Sequence, residues 1–231
     1  MFIKHYIKKC INSPHSSSCV KILRLLIHIY NNASLKNKLL LKQDNSLNYG
    51  ISLIKNTKII VNGKSNNIII GDMCHLKNCH IYINGNSNTV NIGNHCNFNQ
   101  TMLCIEDDNN EIRIGNGTTI HGNTHLAAIE STKLIIGNDC MFSSDITFRT
   151  GDSHSIIDTN GRRLNYSKDI VISDHVWVGT KVICLKGVSV PKNCVIGANS
   201  LLTRKFSEEN CIIAGNPANI IKNKTNWKRE R

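Results

Sequence analysis

Large side chains are scarce in this chain. Aromatic residues make up only 5% of its 231 residues, and it has three prolines. Such a composition argues against a thick helical core and for thin, stacked β layers built from Ile, Val and Asn. No run of 18 or more apolar residues occurs, so no membrane-spanning helix is predicted. The opening MFIKHYIKKC lacks the apolar stretch and small-residue cleavage site of a secretory signal, and a cytoplasmic location is the expectation. There is no CxxC among the ten cysteines, which removes the commonest thiol-metal spacing. Acidic residues are also few: 16 Asp and Glu stand against 28 Lys and Arg, a formal net charge of +12. That excess suits an anionic partner, such as an acidic sugar polymer, a nucleotide-bearing coenzyme or an anionic membrane face. A merely solvated basic surface would have the same composition. No helix-turn-helix, zinc-finger or aromatic-basic pattern accompanies the charge, so nucleic acid is not expected.

What the chain does have is a ruler. Ile-Gly recurs at Ile70-Gly71, Ile92-Gly93, Ile114-Gly115 and Ile136-Gly137, 22 residues apart each time. From Ile172 the unit shortens to six, through Val178, Cys184, Val190, Ile196 and Leu202. A repeat of this kind predicts a solenoid with one continuous core. The six-residue tail selects an all-β, triangular, left-handed parallel β-helix. Over 58–149 each long coil reads as three hexapeptides plus four residues: Ile70, Leu76, Tyr82; Ile92, Phe98, Cys104; Ile114, Ile120, Leu126. The surplus falls in the turn sequences Asn62–Asn66, Asn84–Asn88 and Glu106–Asn110, where Asn and Gly tolerate positive φ. Cys74, Cys96, Thr118 and Cys140 occupy one mark of successive coils, and Cys194 the same mark later. This placement predicts small buried corner residues rather than a disulfide or zinc framework.

The ruler also divides the chain. Residues 1–48 precede it, with a helix expected over Cys19–Leu41, capped by Ser16–Ser18. Such a helix either closes the end of the solenoid or rests on a membrane or partner. The β-helix is expected over 49–207. Residues 208–231 form a C-terminal cap and basic tail, with a short helix over Ile220–Trp227 and Lys222, Lys224, Lys228, Arg229 and Arg231 in solvent. Within the coil, residues 150–169 break the period, and long loops in regular solenoids are where function concentrates.

His154 lies inside that break, flanked by Asp152, Ser153 and Ser155. An imidazole is the usual group for removing a proton from a hydroxyl nucleophile. Asp152 or a carboxylate elsewhere would orient it, and Asp145, Arg149 and Asp152 are the candidate acceptor contacts. Trp177 offers a flat wall for a thioester arm or a sugar ring, or equally a packing surface. Gly179, Thr180, Ala198 and Ser200 make a file of small residues, with Gly179 and Gly197, and Thr180 and Ala198, 18 apart. Such a file exposes backbone to an elongated ligand. Thr203, Arg204, Lys205 and Lys222 lie beyond it as candidate phosphate contacts. The histidines show no spacing that forces them together, and no metal is expected.

Taken in order, Ile136–Met141, Thr150–His154, Asp174–Gly179, Val195–Ser200 and Ala214–Lys222 resemble the hexapeptide-repeat acyltransferases. Within these, the match is nearest to the bacterial capsule and lipopolysaccharide O-acetyltransferases, including the polysialic acid O-acetyltransferases. The detailed likeness covers about residues 134–227. It implies an acetyl-CoA-dependent enzyme acting on a glycan, assembled as a homotrimer with sites between subunits. His154 falls on the family's general base and Trp177 on its tryptophan near the acetyl group. Thr180, Ala198, Thr203, Arg204 and Lys222 fall on coenzyme positions, and Gly179 and Lys205 adjoin them. Arg204-Lys205 stands where Lys and an acidic residue are common, Asn219 replaces a basic residue, and Ser153 replaces a Gly. N-acetylation of a nucleotide-linked amino sugar and a catalytically silent scaffold are the alternative expectations.

Overall fold

The structure, a computed structural model, describes residues 17–34, 36–42 and 44–230, with side chains from residue 21 onward. Ser16 and Arg231, and the side chains of Ser17 and Ser18, therefore lie outside the described residues. The chain forms an all-β parallel solenoid of about seven turns with one N-terminal helix. Each turn contributes a strand to three flat faces. The first face begins with Lys38–Leu41, the second with Ser46–Asn48 and the third with Leu53–Lys55. The second face is a seven-stranded parallel sheet. The first and third are joined in one sheet because the long strands Asn97–Glu106 and Thr119–Ala128 bend round the corner between them.

The Ile-Gly ruler marks the corner between the second and third faces. Ile70, Ile92, Ile114 and Ile136 point inward and are at most 1% exposed. Each following glycine lets one coil's backbone lie directly on the next: a Cβ on Gly115 would stand 2.5 Å from the Asn138 amide nitrogen. The small residue three places on is a donor as well as a filler. Cys74 Sγ donates to Gly93 O at 3.0 Å, Cys96 Sγ to Gly115 O at 3.2 Å and Thr118 Oγ1 to Gly137 O at 2.9 Å. Burial pushes the Cys140 thiol up to about 12, which suits a neutral donor and not a thiolate. The eight cysteines with described side chains are all buried and free.

The widened corner lies between the first and second faces, and a buried asparagine stack fills it. Asn88 N donates to Asn66 Oδ1 at 2.9 Å, Asn110 N to Asn88 Oδ1 at 2.8 Å and Thr132 N to Asn110 Oδ1 at 2.9 Å. Asn66, Asn88 and Asn110 are no more than 2% exposed. A buried amide must find partners, and here each finds them in the coils on either side.

Three expectations about the coil need correction. Tyr82 and Cys104 do not point inward; Ile81 and Ile83, and Leu103 and Ile105, fill the core instead. The preceding corner is one residue short there, so counting by six loses the phase. The solenoid also starts before residue 49. Lys38–Leu41 pairs with Lys58–Val61 at a spacing of 20, and Ser46–Asn48 with Asn67–Ile69 at 21, which the 22-residue ruler passes over. Finally, Ile220–Trp227 forms no helix. Cys211–Gly215 continues the third face, and Ala218–Asn223 returns antiparallel to it, covering an edge that would otherwise be open.

The N-terminal helix, α1 (Ser17–Ala33), ends earlier than expected because Lys38 onward is drawn into the sheet. It caps the first turn with Leu23 and Ile27 buried. Asn31 Nδ2 donates to Ser52 O at 2.9 Å, and its Oδ1 accepts Ile54 N at 3.0 Å.

The asparagine stack makes a direct prediction. Asn88→Ala strands the Asn110 amide and should lower the unfolding free energy by about 2 kcal/mol. Asn86→Ala, two residues away, removes an exposed acceptor of the Lys64 amide that water can replace, and should cost less, about 0.5–1 kcal/mol. Denaturant unfolding of the two variants checks the contrast.

Candidate active site

The coil passes through the break without losing its hydrogen bonds. At the ruler corner Asn116 N donates to Asn138 Oδ1 at 2.8 Å, and Asn138 N to Asp174 Oδ1 at 2.6 Å, although the sequence separation rises from 22 to 36. The added residues are expelled at the corner between the first and second faces, between strands Thr147–Arg149 and Ile170–Ile172. The loop takes the place that the widened turn holds in the coils before it.

The loop is held at both ends. Arg163 Nη2 donates to Glu130 at 2.7 and 2.9 Å, and Ser167 Oγ donates to Glu130 Oε2 at 2.7 Å. Asp152 pairs with Lys186 and accepts Asn165 Nδ2 at 2.8 Å. Asn165 Nδ2 also donates to the backbone oxygen of His154 at 2.7 Å, and Arg149 Nη2 donates to Ser153 Oγ at 2.7 Å. Asp152 thus fixes the loop. Among the described residues none bonds the His154 ring, and the residue is exposed.

Trp177 and the small-residue file occupy a different edge. Trp177 projects from the third face, 37% exposed. Gly179, Thr180 and Ala198 follow at the corner between the third and first faces. A Cβ on Gly179 would stand 2.7 Å from the Ala198 amide nitrogen, so the coils touch backbone to backbone at this edge. Thr180 Oγ1 donates to Ser144 O at 3.0 Å, and Ser200 Oγ donates to Gly197 O at 2.7 Å. Asp145 belongs to this edge as well, where it accepts Asn123 Nδ2 at 3.0 Å, rather than to the group formed by Arg149 and Asp152.

The basic residues divide similarly. Thr203 and Lys205 line a 740 Å³ cleft with Lys168 and Lys186, on the same edge as the loop. Arg204 Nη2 donates to Asn219 Oδ1 at 2.6 Å and stacks over Phe206, towards the terminal hairpin that carries the exposed Lys222. One chain therefore brings His154, Arg149, Asp152, Thr203 and Lys205 to one edge, and Trp177, Gly179, Thr180, Ala198 and Asp145 to another.

Two features escaped the sequence reading. Arg229, although exposed, is not a free tail residue. It donates to Asp139 Oδ1 at 2.8 Å, Thr119 Oγ1 at 3.0 Å, Gly117 O at 3.1 Å and Cys140 O at 3.0 Å. This strap lays Trp227 against His175, with ring centroids 4.3 Å apart, and within 6.2 Å of Trp177. The C-terminal segment thus backs the tryptophan wall. The other feature is His125, on the first face beside the strand that carries Arg149. Its Nε2 is buried and makes no hydrogen bond among the described residues. Burial, and then the Arg149 charge, lower its pKa, so a neutral imidazole stands near the root of the loop. The one signal for it in the sequence was its distance of 22 from Thr147 on a coil of that period.

Stacked coils with a single expelled loop, a histidine on that loop and a bare backbone edge define a hexapeptide-repeat transferase scaffold. No family model matches the chain. It is similar to the crystal structure of the polysialic acid O-acetyltransferase OatWY, with a TM-score of 0.76 and 32% identity over 86% of this chain and 90% of that one. It is 36% identical over 110 residues to a galactoside O-acetyltransferase of Lactococcus lactis, covering 48% of this chain and 52% of that protein. It is 37% identical over 101 residues to a polysialic acid O-acetyltransferase of Escherichia coli O1:K1 / APEC, covering 43% of this chain and 33% of the other. The chain thus spans about half or less of the length of these curated relatives. It belongs to the hexapeptide-repeat acetyltransferase family, whose left-handed β-helix it shares.

The loop anchors carry a pH dependence with a definite sign. Ser167 and Arg163 hold the Glu130 carboxyl below the usual carboxylate range, and Lys186 and then Asn165 do the same for Asp152. A depressed carboxyl stabilises the folded loop fully above its unfolded pKa, and that contribution fades as pH falls through the folded value. The protection of the 152–167 amides, taken relative to intrinsic exchange at each pH, should therefore be greatest at neutral pH and decline on acidification below the carboxylate range. Glu130→Gln should lower this protection about tenfold at neutral pH and remove much of its acid dependence.

Proposed function

We propose that this chain is an acetyl-CoA-dependent O-acetyltransferase acting on a hydroxyl of a bacterial surface glycan, of the polysialic acid, capsule or lipopolysaccharide type. The similarity to polysialic acid O-acetyltransferases supports the acceptor class. The net charge of +12 suits an acidic acceptor and a coenzyme bearing phosphates.

The observation that carries this reading is the separation of the two half-sites. A histidine on an expelled loop and a tryptophan beside a backbone edge complement each other chemically, yet they stand on different edges of one solenoid. A head-to-tail ring of copies places one copy's loop edge against its neighbour's small-residue edge. The loop is made for such a contact: Ile156, Ile157, Leu164 and Tyr166 are each about 60% exposed. The resemblance to the acyltransferase family implies that the ring is a homotrimer, with three sites between copies.

In each site His154 takes the proton of the acceptor hydroxyl as its oxygen attacks the thioester carbonyl carbon. The tetrahedral intermediate expels the thiolate of coenzyme A, which recovers the proton from His154. No covalent enzyme intermediate forms. Backbone N–H groups near the expelled loop stabilise the oxyanion. Trp177 walls the acetyl group, and Gly179, Thr180 and Ala198 offer backbone to the pantetheine arm. Thr203, Arg204, Lys205 and Lys222 meet the phosphates.

His154→Ala should lower kcat by about 10²–10⁴-fold while leaving the affinity for acetyl-CoA nearly unchanged. Acetyl transfer to a panel of acidic glycans, with thiol release as readout, checks this. Near-full turnover by the variant would overturn the proposed base.

A further inference from the structure

The outward side of α1 has no partner within the described residues. Leu23, Ile27 and Asn31 face the solenoid and are buried, which accounts for the cap. A second apolar stripe runs along the opposite side: Ile22 is 46% exposed, Leu25 60% and Ile29 54%. At 100° per residue these three share one narrow face, and Lys21, Arg24 and His28 follow one edge of it. A helix that merely closed a solenoid would present polar residues to water.

Charge tells which surface covers this stripe. The first 43 residues contain seven lysines and one arginine and not a single Asp or Glu, so they hold +8 of the net +12. A second copy laying its own α1 on this one would bring like charges together. An anionic surface is attracted to the same ribbon while the stripe leaves water. We propose that α1 docks this protein on an anionic lipid bilayer, with Ile22, Leu25 and Ile29 entering the interface and Lys21 and Arg24 meeting the headgroups. No described helix is long and apolar enough to cross a membrane, so the contact is a surface one. The helix packs on the third-face strand of the first turn, and the expelled loop leaves after the first-face strand of the sixth, a little over four coil spacings further along. With coils about 4.8 Å apart, the loop then stands on the order of 20 Å along the solenoid from the lipid. The inference is independent of the proposed reaction.

The test is co-sedimentation of the full chain with vesicles of phosphatidylcholine alone and with about a third phosphatidylglycerol. Binding should require the anionic lipid and weaken with salt. Leu25→Asp/Ile29→Asp should reduce it by about tenfold or more. Lys21→Ala/Arg24→Ala, which leaves the stripe intact, should reduce it several-fold and flatten the salt dependence. Thermal unfolding confirms that both variants are folded: all four side chains are exposed, although Arg24 and Leu25 also line a cleft that α1 forms with Tyr49 and Asp72. The proposal fails if the wild-type chain ignores anionic vesicles, or if Leu25→Asp/Ile29→Asp binds them as well as the wild type does. It fails also if the stripe substitutions change the oligomeric state, which would identify a second copy as the occupant.

Discussion

Everything in this molecule depends on a hydrogen bond that each coil makes to the next. At the ruler corner a small donor, Ser52, Cys74, Cys96 or Thr118, reaches the carbonyl of a glycine one coil further on. At the widened corner an asparagine does the same work, Asn66 Nδ2 donating to Gly85 O and Asn88 Nδ2 to Asp107 O. These groups are buried, so each loses the partner offered by water and must find its own. Only an adjacent coil in register supplies one. The constraint fixes the rise, the flat faces and the period, and it leaves length free only at a corner that can throw residues outward.

The expelled loop is the consequence. Because the ladder at the ruler corner continues from Asn138 to Asp174 with undiminished contacts, the insertion cannot be absorbed by distorting the coil. It stands outside, tied by Glu130 below and Lys186 above. The tie occupies Asp152, the nearest carboxylate to His154 in sequence, and leaves the imidazole exposed and unbonded among the described residues. Rigid anchoring of the loop and a free histidine are two aspects of one arrangement. Under the proposed reaction, such a histidine is free to meet a surface beyond its own coil.

Much of this was legible in the residues, for a physical reason. The period, the corner cysteines, the asparagine turns and the break at 150–169 all express short-range requirements of a coil, and a coil repeats them. The features that escaped depend on contacts distant in sequence. Tyr82 and Cys104 face outward because one corner is a residue short, which the six-residue count does not register. The first turn was missed because its spacing is 20 and 21 rather than 22. Ile220 and Ile221 had helical neighbours in sequence, yet pairing with Cys211–Gly215 determined their conformation. Arg229 reads as tail until Asp139, 90 residues away, is placed beside it. The candidate residues could be named one by one from the sequence, whereas their division between two edges was visible only in the fold.

The central claim is that neither edge is a complete site without a neighbouring copy. Subunit complementation tests it most directly. His154→Ala and Trp177→Ala chains, each inactive alone, would be unfolded together, refolded as mixed oligomers and assayed for acetyl transfer. If each site takes His154 from one copy and Trp177 from the next, an equal mixture regains about a quarter of wild-type activity, since that share of contacts pairs two intact halves. If mixed oligomers form and remain inactive, His154 and Trp177 act within a single chain, and the account of a shared site is wrong.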